Sequence, residues 1–291
     1  MYNVKSKKFD LFPAGSHFTD DTVMSIAVAE KLLRNSSEVI GIDCFLVRVF
    51  ISREGLYKMI ETQKLDFSYG SNHILQNISF TANKGEITYL AGVNGAGKTT
   101  WIKCAVGLLI PKSGNVLYDN KYFSDVRNEF AICFDTPPIY KNMSCYDNLS
   151  VLYDVNPKKQ ETRDLLEKVG IFETLLKKPV GRLSFGQRHR LGIAGAILRN
   201  PKYLIMDEPD LGLDPVAWEV VKNEIIRLKK NGSVIILTGQ NFVQLEEIID
   251  KIVLLSDKKI MSDLSINDFI QKYNNGDENK TLKNAFLKAI E

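Results

Sequence analysis

The stretch Gly92-Val-Asn-Gly-Ala-Gly-Lys-Thr99 fits the pattern G-x-x-x-x-G-K-[ST], and it constrains the fold more than any other part of the chain. The pattern works only where a buried strand turns sharply into a helix. Before it, Ile87–Ala91 is an apolar run of strand length; behind it, Thr99–Leu109 has helical periodicity. Gly95 and Gly97 let the backbone curl so that successive N–H groups face one anion, and the following helix points its positive end at the same place. Asn94, Ala96 and Thr100 complete the loop around the expected phosphate chain. Lys98 is expected to reach the β- and γ-phosphates, and Thr99 to offer its hydroxyl to Mg²⁺.

Further apolar runs, Tyr203–Met206, Val234–Leu237 and Ile252–Leu255, have strand length and no polar face. Such runs suit a parallel sheet covered by helices. Helix-patterned stretches lie between them, at Glu161–Val169, Arg188–Leu198 and Ala217–Lys229, and residues 142–200 look mostly helical. The expected fold class is therefore α/β, a doubly wound core with an inserted helical subdomain. Asp207 and Glu208 follow one buried run. An acidic pair at a strand end beside a phosphate loop can hold Mg²⁺, here through Asp207, and accept a proton from an attacking water, here through Glu208. A net charge of +3 gives no reason to expect nucleic acid as a partner.

Leu183-Ser-Phe-Gly-Gln187 resembles the Leu-Ser-Gly-Gly-Gln signature of the ATP-binding cassette (ABC) ATPases. Asp207-Glu208-Pro209 and Leu213-Asp214-Pro215 complete the resemblance, which runs over residues 59–291. It implies the P-loop ABC ATPase fold, with ATP and Mg²⁺ bound. It further implies that Tyr69 stacks on adenine and that Ser184, Gly186 and Gln187 contact the γ-phosphate held by a second copy. Asp214 would reach across the same interface, so that a head-to-tail dimer, of identical or related subunits, sandwiches two ATP molecules. Two positions depart from the family pattern. Asp135 stands where the family has a glutamine or glutamate that touches Mg²⁺ and the attacking water, and Gln240 stands where it has the switch histidine. A glutamine amide donates a hydrogen bond but cannot become cationic or shuttle a proton. The resemblance thus implies slow but nonzero hydrolysis. His73 and His189 read as ordinary polar positions.

The phrases Pro137-Pro-Ile-Tyr-Lys-Asn-Met143 and Thr281-Leu-Lys-Asn-Ala-Phe-Leu-Lys288 are similar to those of ATPases that pair with separate membrane subunits in drug and antimicrobial-peptide export. The longest apolar stretch, Ile42–Ile51, is about half a membrane span and carries Asp43 and Arg48. The expectation is a cytoplasmic protein held at the inner face of the membrane by its permease partner. A soluble ABC ATPase and a non-hydrolysing ATP-gated regulator remain as alternatives.

Residues 1–58 do not continue the α/β pattern, and a boundary is expected at residue 58. Their Thr-Asp-Asp-Thr phrase, with Thr19, Asp20 and Asp21, resembles an N-terminal Mg²⁺-binding stretch of ADP-ribosylglycohydrolases. About thirty residues cannot build that enzyme's core, so a non-catalytic remnant and linker is expected. Cys44, Cys104, Cys133 and Cys145 match no metal or redox spacing and read as reduced thiols.

Overall fold

The computed structural model describes residues 59–239, 242–274 and 281–291. The expectations for Thr19, Asp20, Asp21 and the rest of residues 1–58, and that for Gln240, lie outside them. Two antiparallel strands, β1 (Met59–Tyr69) and β2 (Asn72–Asn83), open the described chain, and β4 (Ser113–Tyr118) joins β1 on its other edge. The remaining strands are β3 (Ile87–Ala91), β5 (Phe130–Cys133), β6 (Tyr203–Asp207), β7 (Val234–Thr238), β8 (Lys251–Ser256) and β9 (Lys259–Ser265). They form a second sheet in the order β5-β6-β7-β3-β8-β9, parallel except for β9. The apolar runs of the sequence are its central strands, and every residue of β3, β6 and β7 is buried.

That sheet is covered on both faces, and the strand period of two divides its side chains between two cores. Leu90, Tyr203, Ile205, Val234, Ile236, Val253 and Leu255 face one core, which they share with the three-stranded sheet and with Trp101 and Ile102 of α1 (Lys98–Ala105). Tyr89, Leu204, Met206, Ile235, Leu237, Ile252 and Leu254 face the other. There they meet the helical insert and the C-terminal helices. The helices after α1 are α2 (Phe123–Val126), α3 (Cys145–Tyr153), α4 (Gln160–Lys168), α5 (Glu173–Leu176), α6 (Phe185–Leu198), α7 (Pro215–Lys230), α8 (Phe242–Leu245), α9 (Ile266–Tyr273) and α10 (Leu282–Ile290). The insert expected over residues 142–200 is the run α3–α6. Met59–Glu291 is one compact unit. The three-stranded antiparallel sheet is an addition to the doubly wound layout. Among the described residues, no helix is long and apolar enough to cross a membrane.

The two helices that begin at Ser184 and Asp214, residues expected to act in the site, have built-in caps. Ser184 caps α6: its Oγ accepts the Gln187 N–H at 3.2 Å, while Gln187 Oε1 accepts the Ser184 N–H at 2.9 Å. Asp214 caps α7, accepting the Ala217 N–H at 2.9 Å, with Pro215 in the first turn. Each cap satisfies a donor that the helix itself leaves unpaired.

Candidate functional site

In a parallel sheet, side chains from different strands converge at the carboxyl ends of the strands. Here β3 ends in the glycine-rich loop and β6 ends in Asp207 and Glu208. A cleft of about 220 Å³ opens between them, lined by Ile74, Asn94, Gly95, Gly97, Lys98, Thr99, Thr100, Asp135, Asp207 and Glu208. The phosphate-loop residues and the three carboxylates picked out from the sequence are therefore gathered in one place, except for Ala96, which sits in the same loop away from the lining.

The loop turns where glycine is required. Gly95 and Gly97 have φ of +79° and +111°, and a side chain on Gly97 would also meet Leu75 at 2.9 Å. α1 begins at Lys98 and aims the N–H groups of its first turn into the cleft. Lys98 is almost wholly buried, and its ammonium donates to the carbonyls of Gly92 (2.7 Å) and Val93 (3.2 Å). Burial lowers its pKa, against the pull of Asp207 and Glu208.

Asp207 accepts hydrogen bonds from Thr99 Oγ1 at 2.9 Å and from the Thr238 hydroxyl. Its pKa is raised, chiefly by burial, although both hydroxyls act to lower it. Glu208 has a φ of +52°, in the left-handed region that any side chain's Cβ makes costly. Its N–H donates to the Thr238 carbonyl at 3.2 Å. Strain of this kind at a strand end turns the carboxylate out of the sheet and into the cleft. Asp135 is exposed on the cleft wall, where its Oδ1 accepts the Thr136 N–H at 2.6 Å.

Thr99, Asp207 and Asp135 offer only oxygen donors. No cluster of three or more His, Cys, Asp or Glu side chains fit to hold a metal occurs among the described residues. That donor set suits Mg²⁺, which takes few protein ligands and fills its shell with water and phosphate oxygens.

The other expected site residues do not line this cleft. Tyr69 ends β1 half-exposed, packed edge-on against Phe67 at 4.9 Å. Ser184 and Gln187 bond to one another in the α6 cap, which leaves the Ser184 hydroxyl proton free to be donated outward. Gly186 has space around it: among the described residues, a side chain there would meet only the Gly212 carbonyl, at 3.5 Å. Asp214 pairs with Arg190 at 3.8 Å, and its pKa is lowered, first by the Ala217 N–H and then, against some desolvation, by Arg190. A larger open hollow of about 980 Å³ lies on the helical insert, lined among others by Tyr146, Asp154, Arg163 and Lys177, and contains none of the expected residues.

Three contributors escaped the sequence reading. Thr238 anchors Asp207 and Glu208 but is an unremarked polar residue ending an apolar run. Tyr89, fully buried, donates its hydroxyl to the Gly239 carbonyl. His189 is not an ordinary polar position. It is fully buried, donates from Nδ1 to the Leu211 carbonyl at 2.7 Å, and lies parallel to Phe185. Arg190 follows it with a bond to the Gly212 carbonyl at 3.2 Å, so α6 clasps the loop after Glu208. Periodicity foretells the body of α6; its grip on a loop more than twenty residues ahead leaves no local signal.

The ABC transporter family model matches residues 75–211, which span the glycine-rich loop, the capped α6 and the acidic pair. The lantibiotic transport ATP-binding protein SrtF of Streptococcus pyogenes is 36% identical over 206 residues, covering 70% of this chain and 89% of that protein. The bacitracin transport ATP-binding protein BcrA of Bacillus licheniformis is 31% identical over 224 residues, covering 74% and 72%. Among solved structures, an ATP-binding subunit of an ABC transporter superposes with a TM-score of 0.71 at 25% identity, covering 79% of this chain and 99% of that one. With the loop, the capped signature helix and the acidic strand end in place, the chain belongs to the ABC transporter ATP-binding proteins, ATPases whose turnover is coupled to transport.

Proposed function

We propose that this chain is the ATP-hydrolysing subunit of an exporter, driving a separate membrane-spanning permease that removes antimicrobial peptides or drugs from the cell. The observation that carries the reading is the single cleft in which Lys98, Thr99, Asp135, Asp207 and Glu208 meet. The cargo class rests on likeness to the lantibiotic and bacitracin transport proteins. A subunit of this kind works in the cytoplasm against the inner face of the membrane.

In this reading the loop N–H groups and Lys98 hold the β- and γ-phosphates, and Lys98 exchanges its loop carbonyls for phosphate oxygens. Thr99 and Asp207 would hold Mg²⁺, with Asp135 beside them; when bound, the ion would supply positive charge against the phosphate oxygens. Glu208 orients the attacking water and takes its proton. Gln240 donates its amide to the γ-phosphate, and Tyr69, exposed at the end of β1, stacks on the adenine. Ser184, Gly186 and Gln187 at the start of α6, with Asp214, face the nucleotide of a second copy. Their absence from the cleft lining supports that assignment, because one copy alone does not enclose its nucleotide.

The test is MgATP turnover by the full chain, with Glu208→Gln as the blank. Turnover above the blank is expected, and a permease should co-purify with the chain in detergent. ATP binding without turnover, alone and in membranes with the permease, would overturn the reading in favour of an ATP-gated regulator.

A further inference from the structure

We infer that the C-terminal helix α10 is a positioning element of the nucleotide site, and that Phe286 acts through Phe242 and Tyr89 on the ends of β6 and β7, where Asp207 and Glu208 stand. The inference rests on the reading of Glu208 as the base.

The path is a run of three rings. Phe286 of α10, nearly fully buried, lies against Phe242 with ring centroids 4.4 Å apart at 37°. Phe242 meets Tyr89 edge to face, at 5.7 Å and 86°. Tyr89 in β3 then donates its hydroxyl to the Gly239 carbonyl, one residue beyond β7. α10 is tied in place at its first turn: the Leu282 N–H donates to Glu246 Oε1 at 3.2 Å, and Asn274 Nδ2 to the Thr281 carbonyl at 2.9 Å.

At the receiving end, Gly239 adjoins Thr238, which bonds the Asp207 carboxylate and the Glu208 backbone. The Thr238 hydroxyl bonds Asp207, and the Thr238 carbonyl takes the Glu208 N–H. A side chain begun at Gly239 would come within 3.7 Å of Asp210 and 3.9 Å of Tyr89, so this point is a junction of β3, β7 and the loop after Glu208.

Filling a core needs only apolar volume, whereas this run ends in a directed hydrogen bond. Burial, with the nearby Asp210 and Glu208 carboxylates, raises the Tyr89 pKa, so its hydroxyl remains a donor at every working pH. The edge-to-face contact of Phe242 with Tyr89 also fixes orientation as well as distance. A tilt of α10 is therefore transmitted to the Gly239 carbonyl as a change in direction, and small misplacements near reacting groups cost rate out of proportion to their size.

The test compares Phe286→Ala, Phe286→Tyr and Tyr89→Phe with the parent full chain. Leu287→Ala, on the exposed face of the same helix, serves as the control. Phe286→Ala and Tyr89→Phe should lower kcat for MgATP by about tenfold with KM within about twofold, the pattern of a group acting on the transition state rather than on binding. Phe286→Tyr keeps the ring and should recover most of the rate, and Leu287→Ala should match the parent. Amide exchange over residues 204–211 should rise in Phe286→Ala. A kcat unchanged in Phe286→Ala, or a loss that only follows the folded fraction, would overturn the inference while leaving the ATPase reading intact. Exchange equal to the parent's would overturn it even if no variant, parent included, turned over ATP; that silence would count separately against the ATPase reading.

Discussion

Asp207 accepts hydrogen bonds from Thr99 at the start of α1 and from Thr238 at the end of β7, so one buried carboxylate ties three elements together. Burial works against its charge and the two hydroxyls work for it. Removing one hydroxyl without changing shape exposes that balance. Thr238→Val should lower the free energy of unfolding by about 1–3 kcal/mol, the cost of leaving a buried acceptor short of a partner. The loss should depend on pH. Losing a hydroxyl raises the folded-state pKa further above the unfolded one, so the variant's deficit is small below the ordinary carboxylate range and grows as pH rises through it. Urea unfolding of the nucleotide-free chain, free of Mg²⁺, at two pH values measures both effects. A deficit of the same size at both would show that Thr238 serves packing alone.

At the scale of elements, the clasp between α6 and the loop Asp210–Leu213 is the least expected feature. His189 is buried and neutral, and burial lowers its pKa in spite of the Leu211 carbonyl and the nearby carboxylates of Asp135 and Glu208. Above its unfolded pKa of about 6.5 both states are neutral and the clasp contributes in full. Below that value the unfolded chain takes up a proton that the folded chain refuses, so stability falls as pH drops. His189→Gln keeps a donor for the Leu211 carbonyl without a titrating ring. It should lose less stability than the parent between pH 7 and pH 5, as denaturant midpoints would show; equal losses would assign the acid sensitivity elsewhere. The same clasp shows where reading the sequence stops. Buried runs identify themselves: Ile87–Ala91 is β3 to the residue, and the other three runs fall short of β6, β7 and β8 by only one or two positions. Helix ends were harder. α6 begins three residues before the periodic run Arg188–Leu198, because the Ser184–Gln187 cap lies outside the apolar pattern. α1 stops at Ala105, short of Leu109, where Gly107 takes a φ of +69°. The bounds of the antiparallel pair β1 and β2 are not marked in the sequence, since irregular register at Leu65 and Phe67 breaks its alternation. The cleft was legible because its loop and strand ends are each local patterns. Thr238, Tyr89 and His189 were not, because their work lies in contacts between distant segments.

At the scale of the whole molecule, the loop side and the signature side of the site are both present, yet the cleft is lined only by the first. In the function proposed above, a second copy packed head to tail would bring the second to it. Gly186 offers the cleanest test, because nothing among the described residues demands glycine there: the Gly212 carbonyl at 3.5 Å is in ordinary contact. Gly186→Glu also places an acid in the first turn of α6, where the helix dipole favours it, so the single chain should fold with parental stability. Glu208→Gln should bind MgATP without consuming it and should run as a dimer on a sizing column at saturating MgATP, and as a monomer without nucleotide. The double variant Glu208→Gln with Gly186→Glu should still bind ATP through its own loop but remain monomeric, because the new side chain occupies the space the partner's phosphate needs. A double variant that dimerises as readily as Glu208→Gln would sink the assignment of α6 to the partner's nucleotide. Loss of ATP binding in the double variant would place Gly186 in the chain's own site instead, against the geometry of the cleft.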